Sequence, residues 1–133
     1  MTRVRPHAII RIGRNELRGM TMIAIQNYVF SQYRKCAVKR GYSFNIEATM
    51  FLALAAAPCA YCTACNTNTA KRAQYAISEW AYNGIDRVNS ELPYQIGNVV
   101  SCCKACNAAK SAMPLDKFLS SEWLANRIAA VKG

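Results

Sequence analysis

Two Cys-x-x-Cys pairs, Cys59-Ala60-Tyr61-Cys62 and Cys103-Lys104-Ala105-Cys106, narrow the possible folds of this chain further than any other feature of its sequence. Such a turn brings two sulfurs to one side of the backbone, where both reach a tetrahedral zinc at about 2.3 Å. Two turns complete a four-sulfur site with no position left for water or substrate, so the zinc expected on Cys59, Cys62, Cys103 and Cys106 is structural. The pairs stand far apart in the chain, and the metal would tie a loop back onto the unit that holds the second pair. Cys62-Thr63-Ala64-Cys65 is an overlapping pair and Cys102 adjoins Cys103, so Cys65 or Cys102 can replace a proposed ligand. Cys36 and Cys102 otherwise read as small buried apolar residues.

Seven cysteines in a chain with no visible secretion signal point to reduced, metal-binding thiols rather than disulfides. Arg3, Arg5, Arg11 and Arg14 interrupt the first residues before an apolar run develops, which leads to a cytoplasmic expectation. The apolar stretch Ala48 to Pro58 is far shorter than the roughly 20 residues that span a bilayer, so it reads as a buried helix and no membrane partner is expected.

The periodicity of Met22, Ile25, Val29 and Tyr33 predicts an amphipathic helix from Met20 to about Lys39, closed by Gly41. Tyr42 to Ile46 alternates like a short extended segment, and Glu47 to Ala57 reads as a second helix ended by Pro58. Thr63 to Tyr82 is polar and poorly periodic and reads as a loop, with Tyr75 to Trp80 able to pair as a strand. Gly84 to Val88 and Asn98 to Ser101 predict two short strands joined by a loop containing Pro93 and Gly97, and Lys104 to Ala112 a helix. Strand, loop, strand, helix is the order of a ββα unit. A last helix is expected from about Pro114 to Val131, packing through Leu115, Phe118, Leu119, Trp123, Ile128 and Val131. The fold class is therefore α+β: a mostly helical small domain around a zinc-stapled ββα unit. A basic arm and helix occupy residues 1–40 and the zinc-stapled domain residues 41–133, as one compact unit.

The net charge of +10 calls for a polyanionic partner, nucleic acid first. Nine basic residues stand against one acid within residues 1–40, so that segment holds most of the excess. Arg11, Arg14, Arg18, Arg34, Lys35, Lys39 and Arg40 are the expected phosphate contacts, attached to a nearly neutral body.

The run Gly84-Ile85-Asp86-Arg87-Val88-Asn89, followed by Tyr94 and by Asn98-Val99-Val100-Ser101-Cys102-Cys103-Lys104-Ala105-Cys106-Asn107-Ala108-Ala109-Lys110, resembles HNH (ββα-metal, His-Me finger) endonucleases. The likeness is greatest to the phage and mobile-element branch with a Gly-Ile-Asp-Arg signature, and it spans roughly residues 30 to 120. The resemblance implies a metal-dependent DNA endonuclease that hydrolyses phosphodiester bonds on double-stranded DNA. It implies a magnesium or manganese ion held by Asp86 and Asn107, with Asn98 bracing the loop and orienting the first strand. Arg87 stands where most of the family carries the histidine that activates water. A guanidinium is no general base at neutral pH, so its implied role is to grip the scissile phosphate. Asn89 stands where this branch usually has an acid. Glu91, Tyr94 and the sole histidine, His7, are the other groups able to move a proton. These departures sustain a second reading, an inactive HNH-fold zinc module that binds DNA or RNA, and a third, a protein that docks on a larger nucleic-acid machine.

If the basic segment grips phosphates, affinity for duplex DNA falls steeply with salt. Each contact removed from Arg11, Arg14, Arg18, Arg34, Lys35, Lys39 or Arg40 lowers the slope of log K against log salt by roughly 1. Titrations of the full chain and of a chain lacking residues 1–18 measure this; unchanged affinity and slope would assign the arm another purpose.

Overall fold

A proline-free run from Arg14 onward builds the first and longest element of the computed structural model, which describes residues 14–70 and 79–133, residues 14–21 in backbone only. Helix α1 runs Arg14–Lys39 and ends in a Schellman turn: Gly41 has φ +85°, Gly41 N donates to Val38 O and Tyr42 N to Ala37 O. Glycine tolerates this left-handed turn at little cost, which is why the helix stops there. The chain continues through strand β1 (Phe44–Asn45), helix α2 (Ala48–Ala56), strands β2 (Asn68–Ala70), β3 (Trp80–Tyr82), β4 (Gly84–Arg87), β5 (Tyr94–Gln95) and β6 (Val99–Cys102), then helices α3 (Lys104–Lys110), α4 (Leu115–Leu119) and α5 (Glu122–Lys132).

Three two-stranded ladders form among the described residues. β4 and β6 are antiparallel with Asp86 opposite Val100, β2 and β3 are antiparallel with Thr69 opposite Ala81, and β1 and β5 are parallel with Phe44 opposite Tyr94. The β4–β6 hairpin followed by α3 is the expected strand, loop, strand, helix unit.

Two apolar clusters hold these pieces. In the first, Val29 and Ala37 of α1, Phe51 and Ala55 of α2, Ile46, Ile85 and Tyr94 are buried together, with Phe30, Tyr33 and Phe44 packed around them. Phe51 is fully buried between the rings of Phe30 and Tyr33, at centroid distances of 5.5 and 5.1 Å. The second cluster joins Cys59, Cys62, Cys102, Cys103 and Cys106 to Phe118 and Leu124. No helix among the described residues is long and apolar enough to cross a membrane.

The structure corrects the sequence reading in four places. The stretch expected as a loop over 63–82 contains β2, whose pairing with β3 is a non-local contact that residues 68–70 do not announce; most of the strand expected at 75–80 lies outside the described residues. The expected loop between the ββα strands contains β5, paired with β1. The single last helix is two, because Ser120 hydroxyl donates back to Asp116 O and Ser121 caps the next helix by accepting from Leu124 N at 3.2 Å. That break resets the helical phase: Phe118 and Leu124 point inward, whereas Leu119 and Trp123, expected to pack, are 53% and 41% exposed. Cys36, expected to be buried, is exposed on α1.

Gly84 lies against Tyr33, and a Cβ there would collide with the Tyr33 hydroxyl. The ring cannot swing away freely, since it packs on Phe51. Gly84→Ala is expected to destabilise the fold by about 1–3 kcal/mol, read as a lowered denaturation midpoint; an unchanged midpoint would show that the α1–β4 contact has slack.

Candidate metal centre and adjoining cavity

The first Cys-x-x-Cys pair lies on a knuckle after α2, where Cys59 N donates to Ala64 O at 2.8 Å and Thr63 N to Cys59 O at 2.9 Å. Thr63 and Asn66 take positive φ to close it. The second pair spans the start of α3: Cys103 is the N-cap, and its Sγ accepts from Cys106 N at 3.3 Å. Ala60 N donates to Ser101 O at 2.8 Å and docks the knuckle on β6. Asn83, wholly buried, completes the joint. Its Nδ2 donates to Ala57 O and Ala64 O, and its Oδ1 accepts from Thr67 N and Oγ1.

As a result the sulfurs of Cys59, Cys62, Cys103 and Cys106 lie within 4.8 Å of one another, all buried. The Cys62 and Cys103 sulfurs are 3.5 Å apart, close to the edge of about 3.8 Å that 2.3 Å bonds give a tetrahedron. These four can hold a metal ion such as zinc. Cys65 is exposed and Cys102 is buried, and neither belongs to the group of four whose sulfurs converge. Crowded sulfurs without a cation share charge poorly: a hydrogen bond from Cys102 holds Cys59 well below the usual thiol range, while burial pushes Cys62 and Cys106 up. A divalent cation relieves that conflict by favouring all four thiolates.

Tyr61, inside the first pair, leads from this centre to the ββα strands. Its hydroxyl donates to Asp86 Oδ2 at 2.7 Å, and burial followed by the Asp86 hydrogen bond pushes its pKa up. The same Oδ2 receives Lys110 Nζ at 3.1 Å in an ion pair whose lysine is fully buried. Lys110 also donates to Arg87 O at 3.1 Å. Tyr61 and Lys110 both engage Oδ2, so Oδ1 is the carboxylate oxygen that they do not use.

Asp86 and Asn107 line one open cavity of about 820 Å³, together with Arg40, Arg87, Tyr42 and Tyr94. Arg87 lies over the Tyr42 ring, 3.7 Å from its centroid, and its Nη1 donates to Ser90 O at 2.6 Å and Leu92 O at 3.2 Å. Asn98 is buried and spans the β4–β6 loop: its Oδ1 accepts from Asn89 N, and its Nδ2 donates to Asn89 O and Pro93 O. Of the other proton-carrying candidates, Glu91 is exposed, Tyr94 is buried with its hydroxyl accepting from Arg40 Nη2 at 2.8 Å, and His7 lies outside the described residues. Among the expected phosphate contacts, Arg34, Lys35, Lys39 and Arg40 are exposed at the end of α1, Arg11 lies outside the described residues, and Arg14 and Arg18 are described only in backbone.

Tyr61, Lys110 and Arg127 are polar residues of these sites that sequence reasoning missed. Lys110 carried one usable signal, its place one turn after Asn107 on the same helix face. Tyr61 and Arg127 carried none, because their partners are remote in sequence.

No family model matches the chain, and no solved structure matches it. It is 28% identical over 107 residues to an uncharacterized protein of Acanthamoeba polyphaga mimivirus, an alignment that covers 78% of this chain and 18% of that protein. The chain thus spans less than a fifth of that relative's length.

Removing one sulfur tests the centre. Cys103→Ala is expected to lose the metal and, with it, the protection of α3, α4 and α5 from hydrogen exchange, whereas Cys65→Ala leaves both unchanged. Equal metal content in the two variants would overturn the ligand assignment.

Proposed function

We propose that this chain is a zinc-stapled nucleic-acid enzyme of the HNH type, which hydrolyses phosphodiester bonds of DNA with a divalent cation such as magnesium or manganese. Zinc is the natural occupant of a closed four-thiolate site, and it performs no chemistry there because no coordination position is open. The observation that carries the reading is the convergence of Asp86 from β4 and Asn107 from α3 on one cavity that also exposes Arg40 and Arg87.

The residues fit a hard cation in a limited sense. One carboxylate oxygen and one amide suit an ion that keeps most of its waters and draws its remaining ligands from substrate phosphate. Lys110 already offsets the charge of Asp86, which disfavours tight binding before the polyanion arrives. When bound, the cation would polarise a phosphate oxygen and stabilise the charge of an in-line displacement. Asp86 Oδ1 and Asn107 would hold it. Tyr61 and Lys110 fix the carboxylate, and Asn98 keeps the β4–β6 loop closed beside it. Arg40 and the face of Arg87 not bound to carbonyls attract the phosphodiester backbone, and the basic helix extends that attraction along the nucleic acid.

One observation favours a second reading, a non-catalytic module that binds DNA or RNA. Arg87 stands where the resemblance places an imidazole and is committed to the Ser90 and Leu92 carbonyls, and the cavity is lined by no histidine and by no carboxylate besides Asp86.

Supercoiled plasmid and single-stranded DNA, incubated with magnesium, manganese or chelator, separate the two. The nuclease reading expects metal-dependent cleavage that Asp86→Asn abolishes and Arg87→His raises, with zinc content and DNA affinity retained. Asp86→Asn leaves Lys110 short of its counter-charge, which costs up to about 3–5 kcal/mol, so folding is checked by zinc content. Absence of cleavage by the natural chain and by Arg87→His, on DNA that both bind, would establish the second reading.

A further inference from the structure

The sulfur cluster has an electrostatic problem that its ligands do not solve alone. On the reading that one zinc occupies Cys59, Cys62, Cys103 and Cys106, four thiolates and a dication leave a net charge of about −2. That charge sits among cysteines that are at most 2% exposed. Backbone N–H groups take up part of it, Tyr61 N on Cys59 Sγ at 3.4 Å and Cys106 N on Cys103 Sγ at 3.3 Å.

Helix α5 brings a cation to the same sulfurs. Arg127 Nη2 donates to Cys103 Sγ at 3.8 Å. Among the described residues Arg127 has no carboxylate partner, since the ion pair they form is Lys110 with Asp86. Its Nε is buried without a partner among them. A guanidinium edge gives up water only where negative charge replaces it, and the thiolates are the acceptors at hand. The rest of α5 is already there: Leu124 is buried on the cluster, and Ile128 and Val131 pack against it.

We infer that Arg127 is an outer-sphere partner of the metal centre, whose guanidinium offsets the thiolate charge at Cys103 and couples docking of the C-terminal helix to occupation of the site. The inference rests on the zinc reading. Neutral thiols are weak acceptors, so the guanidinium contact is strong only when the metal holds the sulfurs as thiolates. Metal loss then loosens α5, and loss of Arg127 loosens the metal.

The test uses the full chain. Zinc per chain is measured first, then the rate at which a chromogenic chelator removes it from the natural chain, Arg127→Met, Arg127→Lys and Leu124→Ala. Outer-sphere partners typically change metal affinity 10- to 100-fold. Arg127→Met is therefore expected to release zinc roughly 10- to 100-fold faster, and Arg127→Lys to recover part of the difference. In cobalt-substituted protein the sulfur-to-cobalt charge-transfer band shifts in Arg127→Met and not in Leu124→Ala, because only the former removes an N–H donor from sulfur. Hydrogen exchange over residues 122–132 rises when the natural chain is stripped of metal. If Arg127→Met does not fold, Arg127→Gln, which keeps a donor without charge, is judged by its zinc release rate. A zinc-loaded natural chain whose variant shows the same release rate and an unshifted band overturns the inference and leaves the zinc site standing. A natural chain purified without zinc overturns the zinc reading, and this inference with it.

Discussion

Four buried sulfurs that converge to within 4.8 Å of one another decide how this small chain closes. Cys59 and Cys62 arrive on a knuckle after α2, Cys103 and Cys106 at the first turn of α3, and nothing local brings them together. The joint is built from hydrogen bonds that converge on the knuckle: Ala60 N to Ser101 O, and the buried Asn83 amide to Ala57, Ala64 and Thr67. α4 and α5 contribute Phe118 and Leu124 to the sulfur cluster and have little other core. A metal held by these four sulfurs would contribute its binding energy directly to the folding of that half of the molecule. The other half rests on apolar burial around Phe51.

Tyr61 connects the two halves. It sits between the first two cysteines, packs edge-on against Phe118 at 5.2 Å, and donates its hydroxyl to Asp86. The carboxylate that lines the cavity is thus positioned by a residue whose backbone belongs to the cysteine knuckle. Lys110 holds the same oxygen from the end of α3. A buried ion pair adds little net stability, but its two fixed ends leave the carboxylate few alternative orientations. Damage to the sulfur centre should therefore reach the cavity through Tyr61 and α3 rather than through the β4–β6 loop, which Asn98 braces independently.

Arg87 shows how a local substitution changes what a site can do. Its guanidinium covers Tyr42 and binds two loop carbonyls, contacts that a smaller imidazole could not all make. Because Arg87 holds the β4–β6 loop through these carbonyls, its replacement is read in stability as well as in the chemistry of the cavity.

By itself the sequence determined the elements whose signals are local. The α1 face is written in Ile25, Val29 and Tyr33, its end in Gly41, the end of α2 in Pro58, and the ββα order in the alternation from Gly84 to Cys106. The spacing within each Cys-x-x-Cys pair likewise named the four sulfurs, because a pair of ligands on one turn is a short-range property. Tertiary structure alone decided the rest. Only folding separates Cys65 and Cys102 from the ligand set, pairs β5 with β1, exposes Cys36, and brings Tyr61, Lys110 and Arg127 to their partners. Those contacts join residues up to tens of positions apart, and a side chain's partner at that distance is fixed by packing and charge compensation, which leave no periodic trace in the chain.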